Sequence, residues 1–138
     1  MDPDTSPSTP AEPAAARRIL LVDDNVDMVE TLQMLLETLG FAVAVATDAD
    51  AALAQALRFE PDVALVDIGL PGTSGLELAP RLRAASRKPL RLVAFSGFGA
   101  EEDVARSHAA GFEAHLVKPV EIGPLLAALQ AHAGVADN

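Results

Sequence analysis

The stretch that decides the fold of this chain is DVALVDIGLPG, residues 62–72. Residues 62–67 are mostly apolar and predict a short strand that is covered on both faces. Glycine and proline follow at once and end the regular structure. The strand therefore ends on a carboxylate, Asp67, at the position where open α/β folds carry their chemistry.

Apolar runs and helical periodicity alternate through the rest of the chain. The runs predict four further strands, at 19–22, 41–46, 90–95 and 113–117. The periodicity predicts helices at 26–39, after Thr47 or Asp48 through Leu57, from about Gly75, at 100–110 and at 122–133. Strands that alternate with helices are parallel and joined by right-handed crossovers, so the predicted fold is a doubly wound α/β sandwich.

Single residues set several of the predicted boundaries. Asn25 is a predicted N-cap, while Gly40 and Gly111 are predicted to end the helices before them. Pro80 lies past the first turn of a helix that starts near Gly75 and cannot donate a backbone hydrogen bond. We therefore expect a kink or a late start in that helix.

Composition predicts one ordered domain, at 17–134, in a chain of 138 residues. Residues 1–16 are rich in proline, serine, threonine and alanine and are predicted to be a disordered leader or linker; residues 135–138 are a short tail.

Net charge and cysteine content exclude several classes of function. A net charge of −10 disfavours direct binding to nucleic acid, and the absence of cysteine excludes disulfides and thiolate metal sites. No apolar run is long enough to span a bilayer and no secretory signal is visible. These features predict a cytoplasmic protein, and we expect a monomer.

Polar side chains follow four of the five predicted strands. Asp23 and Asp24 end the first strand, Asp67 the third, Ser96 the fourth and Lys118 the fifth. The carboxyl ends of parallel strands share one edge, so these groups are expected to converge. Oxygen ligands suit Mg²⁺, a lysine and a hydroxyl can clamp a phosphoryl group, and a carboxylate can be the nucleophile that forms an acyl phosphate.

Four motifs stand in order at these strand ends: VDDN at 22–25, VDIGLPGTSG at 66–75, AFSG at 94–97 and VKP at 117–119. Together they resemble the response-regulator receiver domain of two-component signalling, over roughly residues 18–133. The resemblance implies a CheY-like, flavodoxin-like fold with a five-stranded parallel sheet in the order 2-1-3-4-5.

The resemblance also implies a ligand set for Mg²⁺, with Mn²⁺ as a possible substitute. Asp67 matches the phosphoacceptor and one metal ligand, and Asp24 matches the direct metal ligand. Asp23 matches the acid that holds the metal partly through water. The backbone carbonyl of Gly69 matches the third protein ligand.

Three further positions match parts of the phosphoryl switch. Lys118 matches the lysine that pairs with the phosphoryl oxygens, and Ser96 the hydroxyl that moves to bind them. His115 matches the switch position, which is usually aromatic. Pro119 matches a proline that follows a cis peptide bond.

Two positions depart from the common pattern of the family. Gly69 replaces a polar or bulky side chain, and Phe98 replaces a frequent polar residue. Family members tune the lifetime of the phosphoryl group at these positions, so the resemblance leaves that lifetime open here.

The function that the resemblance implies is a phosphorylation-dependent signalling switch, not a classical enzyme. The phosphoryl donor would be a sensor or hybrid histidine kinase or a histidine phosphotransfer protein. The surface from the fourth helix through the last would control a downstream protein partner. The chain would be either a stand-alone receiver or the receiver of a hybrid kinase; from Glu121 onward it has no lysine or arginine, which disfavours dimerisation through charge networks.

Other interpretations of these residues exist. Asp23 could only cap a helix, Ser96 could be a turn serine, Lys118 a solvated charge and His115 a half-exposed surface histidine. His108 and His132 are predicted to be surface residues. A Mg²⁺-dependent phosphatase of the haloacid dehalogenase type is the alternative function, but it normally has a second aspartate where this chain has Gly69. A nucleotide or flavin binder is disfavoured because no glycine-rich loop follows the first strand.

Overall fold

The computed structural model of the chain describes residues 18–97, 101–118 and 120–137, with the backbone alone at 101–104 and 130–137. The predicted leader, Phe98 and the predicted cis bond to Pro119 lie outside the described residues.

Five strands and five helices alternate along the described chain. The strands are β1 (Arg18–Val22), β2 (Ala42–Ala46), β3 (Val63–Asp67), β4 (Arg91–Ser96) and β5 (Ala114–Val117). The helices are α1 (Val26–Thr38), α2 (Ala49–Phe59), α3 (Gly75–Ala85), α4 (Glu101–Ala109) and α5 (Ile122–Asp137). All strand pairs are parallel and the order is β2-β1-β3-β4-β5. The predicted doubly wound fold with strand order 2-1-3-4-5 is confirmed.

The central strand, β3, is buried along its whole length. Leu65 pairs with Leu21 of β1 on one side and with Val93 of β4 on the other. Successive side chains of β3 point into two different apolar layers: Ala64 and Val66 into one, Val63 and Leu65 into the other. A strand covered on both faces explains why residues 63–66 are a continuous apolar run.

Side-chain caps and glycines set the helix ends. The Asn25 side chain accepts a hydrogen bond from the Met28 amide at 3.1 Å, as predicted for the start of α1. Asp48, not Thr47, caps α2 and accepts from the Ala51 amide at 2.7 Å. Gly40 and Gly111 follow α1 and α4 with φ of 103° and 104°, a conformation that glycine adopts without strain.

The start of α3 and the end of α5 each test a specific expectation. The helix α3 begins at Gly75 with Pro80 inside it, so the late start is wrong; the Ser74 cap, which accepts from the Glu77 amide at 3.3 Å, fixes the first turn. The helix α5 continues past the predicted end at Ala133 to Asp137. Gly134 weakens a helix by only about 1 kcal/mol, which does not end one so rich in alanine. Within the described parts of the chain, no helix is long and apolar enough to cross a membrane.

Gly75 packs against the backbone that carries Asp67, and its substitution should destabilise the fold. A Cβ at this position would lie 2.5 Å from the carbonyl oxygen of Asp67 and 2.6 Å from the Cα of Ile68. Because both atoms belong to the backbone, a rotamer change cannot relieve the overlap. We expect Gly75→Ala to lower the free energy of unfolding by about 2–3 kcal/mol in urea denaturation.

The matched control for Gly75→Ala is Gly123→Ala. Gly123 lies in the first turn of α5, and a Cβ there would meet nothing within 4 Å. Alanine is the better helix former, so we expect this variant to be neutral or more stable by roughly 0.5–1 kcal/mol. Equal stability of the two variants would show that the close approach at Gly75 costs nothing.

Candidate functional site

The carboxyl ends of four strands converge on one edge of the sheet. Backbone hydrogen bonds continue across this edge beyond the strand pairs: Ile68 donates to the Phe95 carbonyl at 3.0 Å, and Lys118 donates to the Ser96 carbonyl at 2.8 Å. On the other side, Asp23 donates to the Ala46 carbonyl at 3.1 Å. The loops that carry the predicted site residues are therefore held side by side.

Three aspartates form a compact acidic cluster at this edge. Asp23, Asp24 and Asp67 each place one carboxylate oxygen within 4.8 Å of the others. Asp23 and Asp67 are buried, at 0% and 6% exposure, whereas Asp24 is exposed. Carboxylates this close repel one another, so the cluster is costly without a cation.

Asp67 is held by a backbone donor on one oxygen and faces a cation on the other. Its Oδ1 accepts a hydrogen bond from the Gly69 amide at 2.8 Å, and its Oδ2 lies 3.3 Å from the Nζ of Lys118. Burial raises the pKa of Asp67 above its ordinary 3.8, and the nearby Asp23 charge adds to that effect. The Gly69 amide and Lys118 act in the opposite direction without cancelling it. A more basic carboxylate is the stronger nucleophile.

Lys118 is the cation that faces this cluster. Its ammonium lies 2.7 Å from Asp23 Oδ2, and its side chain is only 25% exposed. Burial acts to lower the pKa of Lys118, but the contact with Asp23 and the charges of Asp67 and Asp23 outweigh it. The pKa is therefore raised above 10.5, and the ammonium keeps its charge at neutral pH.

The chemistry of the donor set fits a hard divalent cation. Asp23 Oδ1 accepts from the Asn25 amide at 2.9 Å. Asp23 Oδ2 is buried and has an ion pair with Lys118, but its geometry gives it no hydrogen bond among the described residues. An under-coordinated buried carboxylate oxygen, beside oxygen donors from Asp24 and Asp67, is suited to Mg²⁺ or Ca²⁺.

Ser96 and His115 lie in direct contact next to the cluster. Ser96 Oγ is 2.6 Å from His115 Nε2, and Ser107 Oγ is 3.0 Å from His115 Nδ1. Ser96 is 2% exposed, and His115 is half-buried. His115 is thus partly exposed, and both of its ring nitrogens contact buried hydroxyls. His108 is exposed as predicted, whereas the side chain of His132 is outside the described residues.

Sequence reasoning missed Ser107. This residue is fully buried on α4. The sequence held one signal for its burial. Ser107 lies three residues after Val104 and three before Ala110, which is the spacing of the apolar face of a helix.

Gly69 leaves space beside the Asp67 carboxylate. A Cβ at position 69 would lie 3.4 Å from Asp67 Oδ1, and position 69 is exposed. A larger side chain here would therefore stand directly over the carboxylate. An open cleft of about 650 Å³ adjoins the same edge, lined in part by Lys118, Asn25 and Met28.

Comparisons with known proteins agree with the fold. The response regulator receiver domain family matches residues 19–130. The virulence sensor protein BvgS of Bordetella pertussis (strain Tohama I) is 37% identical over 125 residues. That match covers 86% of this chain but only 10% of BvgS, so the chain spans a small part of this relative.

Two solved structures are similar over most of this chain. A response regulator from Burkholderia pseudomallei, solved with a phosphorylated aspartic acid, a calcium ion and citrate, is 30% identical with a TM-score of 0.77, covering 88% of this chain and 71% of that one. The receiver domain of sensor histidine kinase PA1611 from Pseudomonas aeruginosa PAO1, solved with a magnesium ion in its active-site cleft, is 27% identical with a TM-score of 0.73, covering 84% and 96%. On the family match and this shared fold, the chain belongs to the response regulator receiver domain family.

Proposed function

We propose that this chain is a phosphorylation-dependent switch in which Asp67 accepts a phosphoryl group from a histidine kinase or a histidine phosphotransfer protein. The observation that carries the proposal is the position of Asp67 at the end of β3, with one oxygen 3.3 Å from the Lys118 ammonium and two further carboxylates beside it. The solved relative from Burkholderia, which has a phosphorylated aspartic acid, supports the same assignment.

The step is an in-line transfer to a carboxylate oxygen. A lone pair of the Asp67 carboxylate forms the new O–P bond while the N–P bond of the donor phosphohistidine breaks. The histidine leaves with that electron pair and takes a proton from solvent. The Lys118 ammonium is within reach of the carboxylate and neutralises charge that develops on the phosphoryl oxygens.

Asp24, Asp67, the Gly69 carbonyl and, partly through water, Asp23 would hold a Mg²⁺ ion, with Mn²⁺ as a substitute. When bound, the ion supplies positive charge to the phosphoryl oxygens. The residues of the chain itself orient the nucleophile: the Gly69 amide fixes one oxygen of Asp67, and Lys118 faces the other.

The acyl phosphate would act on the rest of the protein through charge. It adds about −1.5 to −2 charge and new acceptor oxygens at the sheet edge. Ser96 would turn towards these oxygens and leave its contact with His115, which then takes another position. The face formed by α4, β5 and α5 would shift its population of conformations and so control a partner protein.

The similarity to BvgS favours a setting in a hybrid sensor kinase, and a stand-alone receiver is the other setting. In either setting, residues 17–134 would be the receiver unit and residues 1–16 its leader or linker. The donor can be identified by comparing candidate kinases. The isolated kinase core that transfers its phosphoryl group to this chain fastest, at short reaction times, would be the donor.

The proposed function requires uptake of one phosphoryl group that depends on a divalent cation. We expect incubation with Mg²⁺ and acetyl phosphate to add one phosphoryl group per chain that is labile in both acid and base, seen by intact-protein mass spectrometry at mildly acidic pH. Removal of the ion with EDTA should slow uptake by about a hundredfold, because the acidic cluster then repels the phosphodonor.

Two further measurements make this test decisive. Adding Mg²⁺ back after EDTA should restore the rate of uptake. Adding a sodium salt to the same ionic strength should not restore it. Steady turnover of p-nitrophenyl phosphate, with no lasting phosphoprotein, would contradict the switch and favour a phosphatase.

A further inference from the structure

Three side chains from three elements form one hydrogen-bonded chain beside the acidic cluster. Ser96 Oγ, at the end of β4, lies 2.6 Å from His115 Nε2 on β5. Ser107 Oγ, on α4, lies 3.0 Å from His115 Nδ1 on the other side of the ring. Both serines are buried, with exposures of 2% and 0%. Each ring nitrogen therefore contacts a hydroxyl that solvent hardly reaches.

Hydrogen-bonding rules couple the two serines through the ring. A neutral imidazole has one N–H donor and one acceptor nitrogen, whereas a serine hydroxyl can donate or accept. If Ser107 donates to Nδ1, then Nε2–H of His115 donates to Ser96. If Nδ1–H donates to Ser107, then Ser96 donates to Nε2. The direction of the Ser107 bond and the direction of the Ser96 bond are thus linked through the tautomer of the ring.

We propose that Ser107 is a positioning residue for the phosphoryl site, since it anchors His115, and His115 in turn holds the Ser96 hydroxyl in its resting position. The inference rests on the proposed function, in which Ser96 donates to a phosphoryl oxygen on Asp67. To donate there, Ser96 must give up or reorient its bond to His115. The anchor at Ser107 raises the cost of that change and ties it to α4.

A purely structural role for Ser107 would have different consequences. Its hydroxyl would then only satisfy a buried ring nitrogen, and its loss would lower stability without changing Ser96. The protonation pattern of the His115 ring and the rate of phosphoryl uptake separate the two roles, since neither follows from stability alone.

The first test is ¹⁵N NMR of the His115 ring in the unphosphorylated full chain. We expect one dominant tautomer in the parent protein and a shifted tautomer ratio in Ser107→Ala. Ser107→Thr keeps the hydroxyl and should restore the parent pattern. Ser107→Cys is close in volume but a weak hydrogen-bond donor, so it should behave like Ser107→Ala and serves if the alanine variant does not fold.

The second test is the rate of phosphoryl uptake from acetyl phosphate with Mg²⁺. We expect Ser107→Ala to take up the group about fivefold faster, the scale of one neutral hydrogen bond, and Ser107→Thr to match the parent. The control is Ser86→Ala. It removes a hydroxyl that donates to the Leu82 carbonyl at 2.8 Å, at the end of α3 on the opposite edge of the sheet, and should change neither readout.

Either of two results overturns the inference: ring shifts of His115 that are the same in Ser107→Ala and the parent, or an uptake rate in the folded variant that is equal to or below the parent rate. If the parent protein takes up no phosphoryl group, the proposed function fails. The NMR result then still decides whether Ser107 positions His115 and Ser96.

Discussion

Asp67→Asn should take up a phosphoryl group from acetyl phosphate about a thousandfold more slowly than the parent protein, or not measurably. An amide has the shape of the carboxylate but lacks its negative charge and is a far weaker nucleophile, and removal of a nucleophile has effects of this size. The Gly69 amide can still donate to the side-chain oxygen of the introduced asparagine, because that bond needs only an acceptor. The fold should therefore survive, and the loss should be one of chemistry.

The same substitution should make the protein more stable at neutral pH. Burial and the Asp23 charge raise the pKa of Asp67 in the folded state above 3.8, so the folded protein binds this proton more tightly than the unfolded chain. The ionised carboxylate then opposes folding above its folded pKa, and this cost disappears below 3.8 where both states are protonated. We expect Asp67→Asn to gain on the order of 1 kcal/mol in urea denaturation at pH 7, and less as the pH falls.

The control for both effects is Asp50→Asn. This exposed residue lies in the first turn of α2 and gives the same change in net charge. It should keep the parent rate of uptake and should not make the protein more stable, since an acid in the first turn of a helix is favourable. Uptake at the parent rate by Asp67→Asn would show that another residue is the acceptor. A loss of stability in Asp67→Asn would show that the ionised Asp67 carboxylate does not oppose folding.

The fold could be predicted because its signals are local and repeat. Each strand is a short apolar run and each helix has an apolar stripe. Asn25 marks a helix start with a side chain that caps it, and Gly40 marks a helix end with a backbone that tolerates positive φ. Because the strands are parallel, their carboxyl ends then lie at one edge of the sheet. Hence the convergence of Asp23, Asp67 and Lys118 needed only their positions at strand ends.

The features that could not be predicted depend on packing between elements. Thr47 and Asp48 were equal candidates for the cap of α2, and the structure has Asp48 in that role. Only the geometry of the turn decides between two adjacent residues that can both cap a helix. Ser107 meets His115 through the docking of α4 on β5, and no local pattern contains that docking. The close approach of Gly75 to the Asp67 backbone joins residues on two different elements, so no local pattern could show it.

Lys118→Met should both slow phosphoryl uptake and destabilise the fold. The ammonium lies 2.7 Å from one buried carboxylate, Asp23, and 3.3 Å from a second, Asp67. Methionine can occupy much of the same space but leaves these two charges unpaired. Removal of one partner of a buried pair costs about 3 kcal/mol, and loss of a charged donor at a phosphoryl group slows transfer by about a hundredfold.

Lys88→Met is the matched control for Lys118→Met. Lys88 Nζ lies 2.9 Å from Asp62 Oδ1, between the two Lys118 distances of 2.7 and 3.3 Å, but both side chains are more than a third exposed. Water screens such a pair, so we expect a loss of no more than about 1 kcal/mol and no change in uptake. Equal losses in the two variants would mean that burial at the sheet edge does not strengthen the Lys118 pair.

Two treatments should rescue the stability of Lys118→Met without restoring the lysine. Mg²⁺ should stabilise the variant more than the parent, because the ion would be the only cation left beside Asp23 and Asp67 among the described residues. Asp67→Asn in the Lys118→Met background should recover part of the loss, since it removes one of the two unpaired carboxylates. Since the pKa of Lys118 is raised above 10.5, the stabilisation by the lysine is complete at neutral pH and disappears only in strong base. A loss in the variant that neither Mg²⁺ nor Asp67→Asn reduces would mean that Lys118 supports the fold by packing and not by its charge.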